Sequence, residues 1–337
     1  MTVSTTHQPL FKTASTLPLV SVIIPTYNRP DYLKEALTSV VQQTYPNLEI
    51  IVSDNCSSEN PQPLVESFQD DRIRLIRNEQ NLGLITNTMN AFKQTQGTYV
   101  VCVNDDDQLE PDFLAKLVPP LDSNPDLVIA FSDHYMVNAA GEIDLAETEK
   151  FAHQHGRDRL QEGIYQPYWP LGLVGGPVAI CAAVIRRSAV NWNEVPSEVG
   201  GAWDMYVHFL TARTGKGAYY CPDRLMRYRV HPQSHTSSYS ARDTDTNIQR
   251  QKSHVLCYEH FLADDRLTPI HPPIHRAWAH AMTSIGINLI RANRPKEARP
   301  YLLQSLTRSP QFRTIAALLL SFVPPILTQR SSVSETA

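Results

Sequence analysis

Runs of apolar, β-branched residues alternate with amphipathic stretches along the first third of the chain. Four such runs predict buried strands at residues 19–25, 48–54, 73–78 and 98–103. Apolar residues at helical spacing predict helices from Pro30 through Gln43 and over residues 84–95, and a further helix begins at Pro111. This alternation with short linkers predicts a parallel, right-handed doubly wound sheet, which binds ligands beyond the carboxyl ends of its strands.

The pattern is less regular in the second half of the chain. Strands are predicted at residues 126–133, 178–185, 217–221 and 225–230, with a hairpin at Gly141 and a helix at 202–214. Residues 145–175 are predicted to be a long polar excursion that ends in a flexible, glycine-rich segment. A purely helical pattern follows at residues 247–263, 273–292, 295–308 and 311–328.

This order of elements predicts an α/β domain followed by a helical annex. We expect flexible tails at residues 1–18 and 329–337, an α/β domain at 19–240 and a helical C-terminal region at 241–328. The Ser/Thr-rich segment 231–246 is predicted to be a mobile boundary between the two. A chain of 337 residues with 42% hydrophobic side chains is long enough for this arrangement.

Composition and charge narrow the class of protein. The net charge is -4 and no block of basic residues is present, so nucleic acid is not an expected partner. The five cysteines are widely spaced and form no CxxC pair, which argues against a disulfide framework or a zinc site and fits a reducing cytoplasm. Neither a signal peptide nor an apolar stretch of membrane-spanning length is expected.

The last predicted helix is apolar nearly all round. It lies between Arg313 and Arg330 and is too short to span a bilayer. Two interpretations remain open at this point. The helix is either buried in an interface or makes a shallow, peripheral contact with the inner face of a membrane.

The fourth predicted strand runs directly into the acidic sequence Asn104-Asp105-Asp106-Asp107. Adjacent carboxylates repel one another and need either water or a cation. A hard divalent ion with oxygen ligands suits them, and at least two of the carboxylates can reach one ion. The other interpretation is a solvated acidic loop that caps the helix beginning at Pro111.

Three polar clusters follow predicted strands, at residues 26–29, 53–58 and 104–107. Because the carboxyl ends of parallel strands meet at one edge of a sheet, we expect these loops to converge on one crevice. The chain has neither a GxGxxG fingerprint after the first strand nor a P-loop, so any nucleotide is held by other means.

Four segments together resemble the successive signatures of the family 2 glycosyltransferases with the GT-A fold, in order and in spacing. They span residues 19–236 and are PLVSVIIPTYNRPDYLKEALTSVVQQTYPNLEIIVSDNCSSEN, RNEQNLGL, VNDDDQLEPDFL and RYRVHPQSHT. The resemblance implies a GT-A-type sheet with flanking helices and an inverting transfer that uses Mg or Mn. It implies a nucleotide-diphosphate sugar donor, with a UDP-sugar favoured, and a glycan, lipid-linked or small-molecule acceptor in polysaccharide biosynthesis.

The resemblance also implies roles for single residues. Asp106 is the first choice as metal ligand, with Asp107 and His231 beside it, although Asn104 stands where relatives often have the first aspartate. The side chains and backbone expected to contact the donor are Pro25, Thr26, Tyr27, Arg29, Asp54, Asn81, Gly83, Asn104, Asp105 and Arg229.

The general base is the point at which the sequence departs from the family pattern. Ala202 appears where relatives often carry the carboxylate, so either Asp204 or Glu198 is expected to deprotonate the acceptor. Asp204 is also favoured simply as a first-turn helix residue, and Trp203 either stacks on an acceptor sugar or belongs to the core.

Two other functions compete with transfer. A catalytically silent GT-A domain that binds nucleotide or acts as a scaffold would explain the missing acid. A sugar nucleotidyltransferase needs a glycine-rich, basic loop after the first strand, and PTYNRPDY is not one.

Overall fold

The computed structural model describes residues 17–176, 178–232 and 243–323. Its strands are β1 Val20–Thr26, β2 Leu48–Asp54, β3 Ile73–Arg77, β4 Tyr99–Cys102, β5 Gln108–Leu109, β6 Leu127–Val137, β7 Gly163–Tyr165, β8 Ala183–Arg186 and β9 Gly217–Arg229. Its helices are α1 Pro30–Val41, α2 Gln62–Glu66, α3 Leu84–Lys93, α4 Phe113–Ser123, α5 Leu145–Gln154, α6 Trp203–Ala212, α7 Thr244–Leu262, α8 His271–Arg291, α9 Pro295–Arg308 and α10 Phe312–Leu320.

The strands form one mixed sheet in the order β3-β2-β1-β4-β8-β6-β9-β5, with β7 added beside β9. The first four strands pair in parallel, as predicted. Strand β8 then runs antiparallel to both of its neighbours, β4 and β6. Strands β6 and β9 again pair in parallel, so the prediction of a parallel sheet is wrong only for β8, β5 and β7, which run antiparallel to their neighbours. An apolar run indicates burial on both faces and carries no information on direction.

Both faces of the sheet are covered, which explains the continuous apolar runs. Ile23 of β1 packs into one hydrophobic cluster that includes Met89 and Phe92 of α3. The neighbouring Val22 and Ile24 point to the opposite face and join Leu33 and Leu37 of α1, among others. Successive side chains of a strand alternate between faces, so a strand covered on both sides is apolar at most of its positions.

Several predicted elements differ from the observed ones. The strands predicted at 217–221 and 225–230 are one continuous strand, β9, which follows β6 through irregularities in register. The strand predicted at 178–185 is shortened to β8, since a 3₁₀ turn occupies Ile180–Ala182. The predicted excursion 145–175 contains α5 and β7, and the unpredicted helix α2 begins at Gln62.

The C-terminal helices pack on one another and on the α/β part. Phe261 of α7 stacks on Phe209 of α6 with ring centroids 4.9 Å apart. Helices α8 and α9 approach closely at Gly286, where a Cβ atom would lie 2.6 Å from Leu302. None of the helices in the described residues has the length and hydrophobicity of a membrane-spanning segment. The predicted domain boundary and most of both predicted tails lie outside the described residues.

Candidate functional site

The loops that follow β1, β2 and β4 meet at the carboxyl edge of the sheet, as predicted. Thr26 Oγ1 donates to Asp105 Oδ2 at 2.9 Å, which joins the first loop to the acidic loop. The backbone N of Asn28 donates to Ser57 Oγ at 2.8 Å, which joins it to the second. The parallel β2-β1-β4 order places these three loops side by side.

Arg29 neutralises two of the three carboxylates. Its Nη1 lies 3.1 Å from Asp105 Oδ1 and 3.0 Å from Asp106 Oδ2. Asp105 is almost fully buried, and its pKa is raised to about 6. Burial is the larger cause of this rise, and repulsion from the charge of Asp106 is the second. The hydrogen bonds from Arg29 and Thr26 oppose that rise. Ionised carboxylates in this buried loop therefore lose favourable solvation free energy.

Asp106 is paired with His231, which comes from the far end of β9. The imidazole Nε2 lies 3.0 Å from Asp106 Oδ2, the oxygen that also faces Arg29. His231 is buried, and its ring packs against Tyr32 with centroids 4.9 Å apart. Two residues that are 125 positions apart in the chain are thus held in direct contact.

Asp107 has both oxygens occupied by protein donors. Oδ1 accepts from the backbone N of Arg229 at 3.0 Å, and Oδ2 accepts from Asn104 Nδ2 at 2.8 Å. Burial and the charge of Asp106 raise the pKa of Asp107 well above its ordinary value. Asp107 thereby fastens the acidic loop to β9.

The Arg229 guanidinium also stabilises this loop. Its Nε donates to the carbonyl of Asp106 at 2.8 Å and its Nη1 to the carbonyl of Ala139 at 3.0 Å. Its Nη2 pairs with Glu35 at 2.5 Å, and the side chain is only 1% exposed. The geometry therefore gives Arg229 a positioning role, while its predicted contact with donor phosphate remains a prediction.

The donor atoms at Asp106 and His231 fit a divalent cation that has few protein ligands. Within residues 17–176, 178–232 and 243–323, no group of three His, Cys, Asp or Glu side chains has metal-binding geometry. Asp106 Oδ2 and His231 Nε2 lie 3.0 Å apart, and Arg29 also contacts this oxygen, so both atoms would exchange these contacts in order to ligate an ion. Ions such as Mg²⁺ often use one or two carboxylates and complete their coordination with phosphate oxygens and water. The predicted metal set remains a prediction.

Asp54 shapes the second loop. It is fully buried, and Oδ1 accepts from the backbone N and the hydroxyl of Ser57 at 3.1 and 2.5 Å. Arg77 Nε lies 3.2 Å from its other oxygen. Its predicted pairing with a nucleotide base is untested, and in this structure its partners are protein groups.

A cavity of 440 Å³ lies beside this turn, between the first and second loops. It is lined by Thr26, Asn28, Arg29, Pro30, Leu33, Ser57, Ser58, Glu59, Asn60, Pro61, Pro63 and Leu64. Asn28 Oδ1 accepts from the backbone N of Ser58 at 2.7 Å, and Asn28 has a positive φ of 54°. Asn28, Ser57 and Ser58 are not among the residues predicted to contact the donor, although an Asn after a strand and a Ser pair in a turn are typical loop-forming residues.

Asn81 and Gly83 form the turn before α3 and do not line this cavity. Asn81 Oδ1 accepts from Asn55 Nδ2 at 2.8 Å and from the backbone N of Gly83 at 2.9 Å. Gly83 has φ 80° and ψ 158°, and a Cβ atom at this position would have no neighbour within 4 Å. The glycine is therefore required by its backbone conformation, and close approach of another group is not the reason.

A second cavity of 320 Å³ lies over the acidic loop and also reaches Pro25 and Arg29. Asp204, in the first turn of α6, opens on it, and Oδ1 accepts from the backbone N of Met205 at 2.7 Å. The surrounding walls reduce solvation of the carboxylate and raise the pKa of Asp204. We refer to this space as the central cavity.

The other residues predicted near the acceptor differ in whether they line the central cavity. Trp203 also lines the central cavity but is 91% buried, and its ring lies against Phe92 with centroids 6.3 Å apart. Glu198 is exposed, bonds to Ser197 and does not line the cavity. Of the two predicted bases, only Asp204 shares a cavity with the acidic loop. Tyr27 is 43% exposed at the rim.

The sequence of this chain is similar to known glycosyltransferases. The family model described as glycosyl transferase family 2 matches residues 21–169. Over 105 residues the chain is 38% identical to the GalNAc(5)-diNAcBac-PP-undecaprenol β-1,3-glucosyltransferase of Campylobacter jejuni, covering 30% of this chain and 34% of that protein. The chain spans less than half the length of most of the curated relatives it matches.

Solved glycosyltransferase structures share the fold. Staphylococcus aureus TarS 1-349 in complex with UDP-GlcNAc superposes with a TM-score of 0.61 at 16% identity, over 89% of each chain. The mannosyltransferase PcManGT from Pyrobaculum calidifontis, in complex with GDP-Man and Mn²⁺, gives a TM-score of 0.57 at 18% identity over 96% of this chain and 92% of that one. The predicted GT-A-type sheet with flanking helices is confirmed.

Proposed function

We propose that this protein, whose residues 21–169 match the family model described as glycosyl transferase family 2, transfers a sugar from a nucleoside-diphosphate donor, most readily a UDP-sugar, to an acceptor hydroxyl with inversion. The observation that carries this proposal is that the Asp105-Asp106-Asp107 loop and the Asp204 carboxylate open on one cavity at the carboxyl edge of the sheet. An acidic loop at one end and a carboxylate base at the other are what inverting transfer requires.

The donor is proposed to lie across the first three loops. The cavity between residues 26–30 and 57–64 would take the base and ribose, next to the turn organised by Asp54. Arg29 would place its guanidinium at the diphosphate, since it already lies between the acidic loop and this cavity. The complex of TarS with UDP-GlcNAc supports a UDP-sugar as donor.

A divalent cation, Mg or Mn, is proposed to bind at Asp106 and His231. When bound, it supplies positive charge that stabilises the departing nucleoside diphosphate. Asp107 and Arg229 would hold the acidic loop in place rather than contact the ion, because Asp107 has both oxygens occupied. The Mn²⁺ in the PcManGT complex supports a cation in this type of fold.

Asp204 is proposed to take the proton from the acceptor hydroxyl. The raised pKa of its carboxyl makes it a better base than an ordinary surface aspartate. The acceptor is proposed to be a saccharide, and the undecaprenol diphosphate named for the Campylobacter relative supports a lipid-linked one.

The direct test measures release of UDP or GDP from UDP-Glc, UDP-GlcNAc, UDP-Gal and GDP-Man, each with Mg²⁺, with Mn²⁺ and with EDTA. We expect turnover of at least one UDP-sugar, loss of turnover in EDTA, and a loss of about a hundredfold or more in Asp106→Asn. The exposed Asp126→Asn serves as control. Turnover that persists in EDTA would contradict the metal assignment.

The presence of Ala202 favours one second candidate function, a catalytically silent domain that binds nucleotide. Ala202 is 2% exposed and offers no acid at the position where relatives often carry one. If UDP raises the melting temperature in the presence of Mn²⁺ while no donor is turned over, and Asp204→Asn changes nothing, this function replaces transfer.

Contact with the inner face of a membrane is proposed through α10 and the residues that follow it. Five large apolar side chains there are more than 40% exposed, namely Phe312, Ile315, Leu319, Leu320 and Phe322. Residues 298–323 contain three arginines and no acidic residue, although the whole chain carries a net charge of -4. An apolar helix face with basic flanks fits an anionic bilayer surface.

Cosedimentation with phosphatidylglycerol vesicles and with phosphatidylcholine vesicles tests this contact. We expect binding to the anionic vesicles alone, and its loss in the double variant Phe312→Ser with Leu319→Ser. Leu145→Ser is the matched control, because Leu145 is 59% exposed on α5. Equal sedimentation of the double variant and the wild-type protein would refute the proposal.

A further inference from the structure

One wall of the central cavity is made of side chains to which the proposed transfer assigns no role. They come from β6, from α5 with the turn that follows it, and from β9, and they are His134, Phe151, His155, Arg157 and Tyr228. In the sheet, β6 and β9 lie on the opposite side of β4 from β1 and β2. This aromatic wall is therefore remote in the sheet order from the loops proposed to hold the nucleotide.

His134 presents a hydrogen-bond donor without a partner. Its ring is 98% buried, and its Nε2 faces Arg157 Nη2 at 3.4 Å. A guanidinium only donates, so Nε2 must accept and the single proton of the neutral imidazole lies on Nδ1. Nδ1 is buried and has no hydrogen-bond partner among the residues the structure describes.

The imidazole of His134 stays neutral and its orientation is fixed. Burial is the main cause that lowers the pKa of His134 to about 3, and the positive charge of Arg157 is the second cause. Arg157 is itself buried, and its Nε donates to Asp133 Oδ1 at 2.7 Å. His134 is therefore a neutral ring in a fixed orientation within this wall.

The more exposed part of the wall consists of stacked rings. Phe151 and His155 are half-buried, with ring centroids 4.1 Å apart, and Tyr228 lies nearly parallel to Phe151 at 6.2 Å. The Arg157 guanidinium covers the Phe151 ring at 5.2 Å from its centroid. His155 Nδ1 lies 2.9 Å from the carbonyl of Phe151, so a neutral His155 donates there and leaves Nε2 as an acceptor.

We propose that the aromatic wall is the acceptor-sugar subsite, where ring faces pack against the C–H face of a pyranose while His155 hydrogen-bonds one of its hydroxyls. This inference rests on the proposed function, because it assigns the wall to the substrate that Asp204 would deprotonate in the same cavity. An apolar wall with a few oriented polar atoms is the usual composition of a small-molecule site.

The test uses four probes, the methyl glycosides of glucose, galactose, mannose and N-acetylglucosamine. Binding is measured by saturation-transfer NMR with the donor site filled by UDP and Mg²⁺. We expect at least one glycoside to bind the wild-type protein, and Phe151→Ala and His155→Ala each to weaken that binding by about tenfold.

His153→Ala is the matched control for His155→Ala. His153 lies on the helix that His155 directly follows, but it is exposed, pairs with Asp158 and does not line the cavity. This variant should bind the glycoside as the wild-type protein does. His155→Gln, which retains a hydrogen-bonding side chain, should restore part of the affinity.

Calorimetric titration with UDP separates failure of this inference from failure of the proposed function. All variants should bind UDP with unchanged affinity, which also shows that they are folded. If the wild-type protein neither binds UDP nor turns over a donor, the proposed function fails. If UDP binds normally but no glycoside binds, or glycosides bind the Phe151 and His155 variants as tightly as the wild-type protein, the subsite is overturned.

Discussion

Replacing Asp105 by Asn should stabilise the metal-free protein at neutral pH. Asp105 is 95% buried, and its pKa rises from 3.8 to about 6 on folding. At about 1.4 kcal/mol for each pKa unit, ionised Asp105 disfavours the folded state by roughly 3 kcal/mol. This figure already includes the favourable contacts with Arg29 and Thr26, because both lower the pKa.

The sign of the effect follows from proton binding. A carboxyl whose pKa is higher in the folded protein holds its proton more tightly there, so protonation favours folding. The destabilisation caused by Asp105 is therefore least below about pH 4 and grows as the pH rises from about 4 to 6, with roughly 2 kcal/mol of it arising between about pH 4.5 and pH 8. In Asp105→Asn the carbonyl oxygen still accepts from Thr26, whereas the amide faces Arg29, which reduces the gain to about 1–2 kcal/mol.

Urea denaturation in EDTA at about pH 4.5 and pH 8 measures this effect. Asp105→Asn should be more stable than the wild-type protein at the higher pH, and the difference should shrink at the lower pH. The exposed Asp126→Asn should show no such change. The reasoning is refuted if Asp105→Asn is the less stable protein at about pH 8, or if the difference does not depend on pH.

Three further predictions concern the base and the helical region. Asp204→Asn should lower kcat by about a hundredfold or more in a transfer assay, while Glu198→Gln leaves it unchanged, because only Asp204 reaches the cavity. Gly286→Ala should lower the stability measured by thermal unfolding by about 1–3 kcal/mol, since its Cβ would lie 2.6 Å from Leu302. Thr283→Val should cost about 1–3 kcal/mol in the same measurement, because the buried Thr314 hydroxyl loses its partner and the Ser305 hydroxyl keeps only the carbonyl of Ala279; an unchanged melting curve would contradict either helical prediction.

Much of the first half of the chain could be predicted from the sequence because the information that determines it is local. The apolar runs of β1, β2 and β4 determine buried strands, and the polar residues that follow each run mark the edge of the sheet at which three loops meet. The bounds predicted for β2 agree with the structure at both ends. Four segments in the right order were enough to indicate a resemblance to the family, and the family model that matches residues 21–169 confirms this resemblance.

The second half could be predicted less well, because its pairings are long-range. An apolar run cannot show that β8 runs antiparallel to β4 and β6, nor that β9 continues through an exposed Pro222 and Asp223. These features depend on which strand lies alongside, and that partner is distant in the chain.

The acidic loop shows both what the sequence alone determines and what only the tertiary structure decides. Its sequence alone determined that three carboxylates follow a buried strand and require compensating charge. Only the tertiary structure decided how the carboxylates differ: Asp105 pairs with Arg29, Asp106 with Arg29 and His231, and Asp107 with Asn104 and β9. The physical reason is that a hydrogen bond is satisfied by whichever donor the fold brings within about 3 Å, and most of these donors lie far away in sequence.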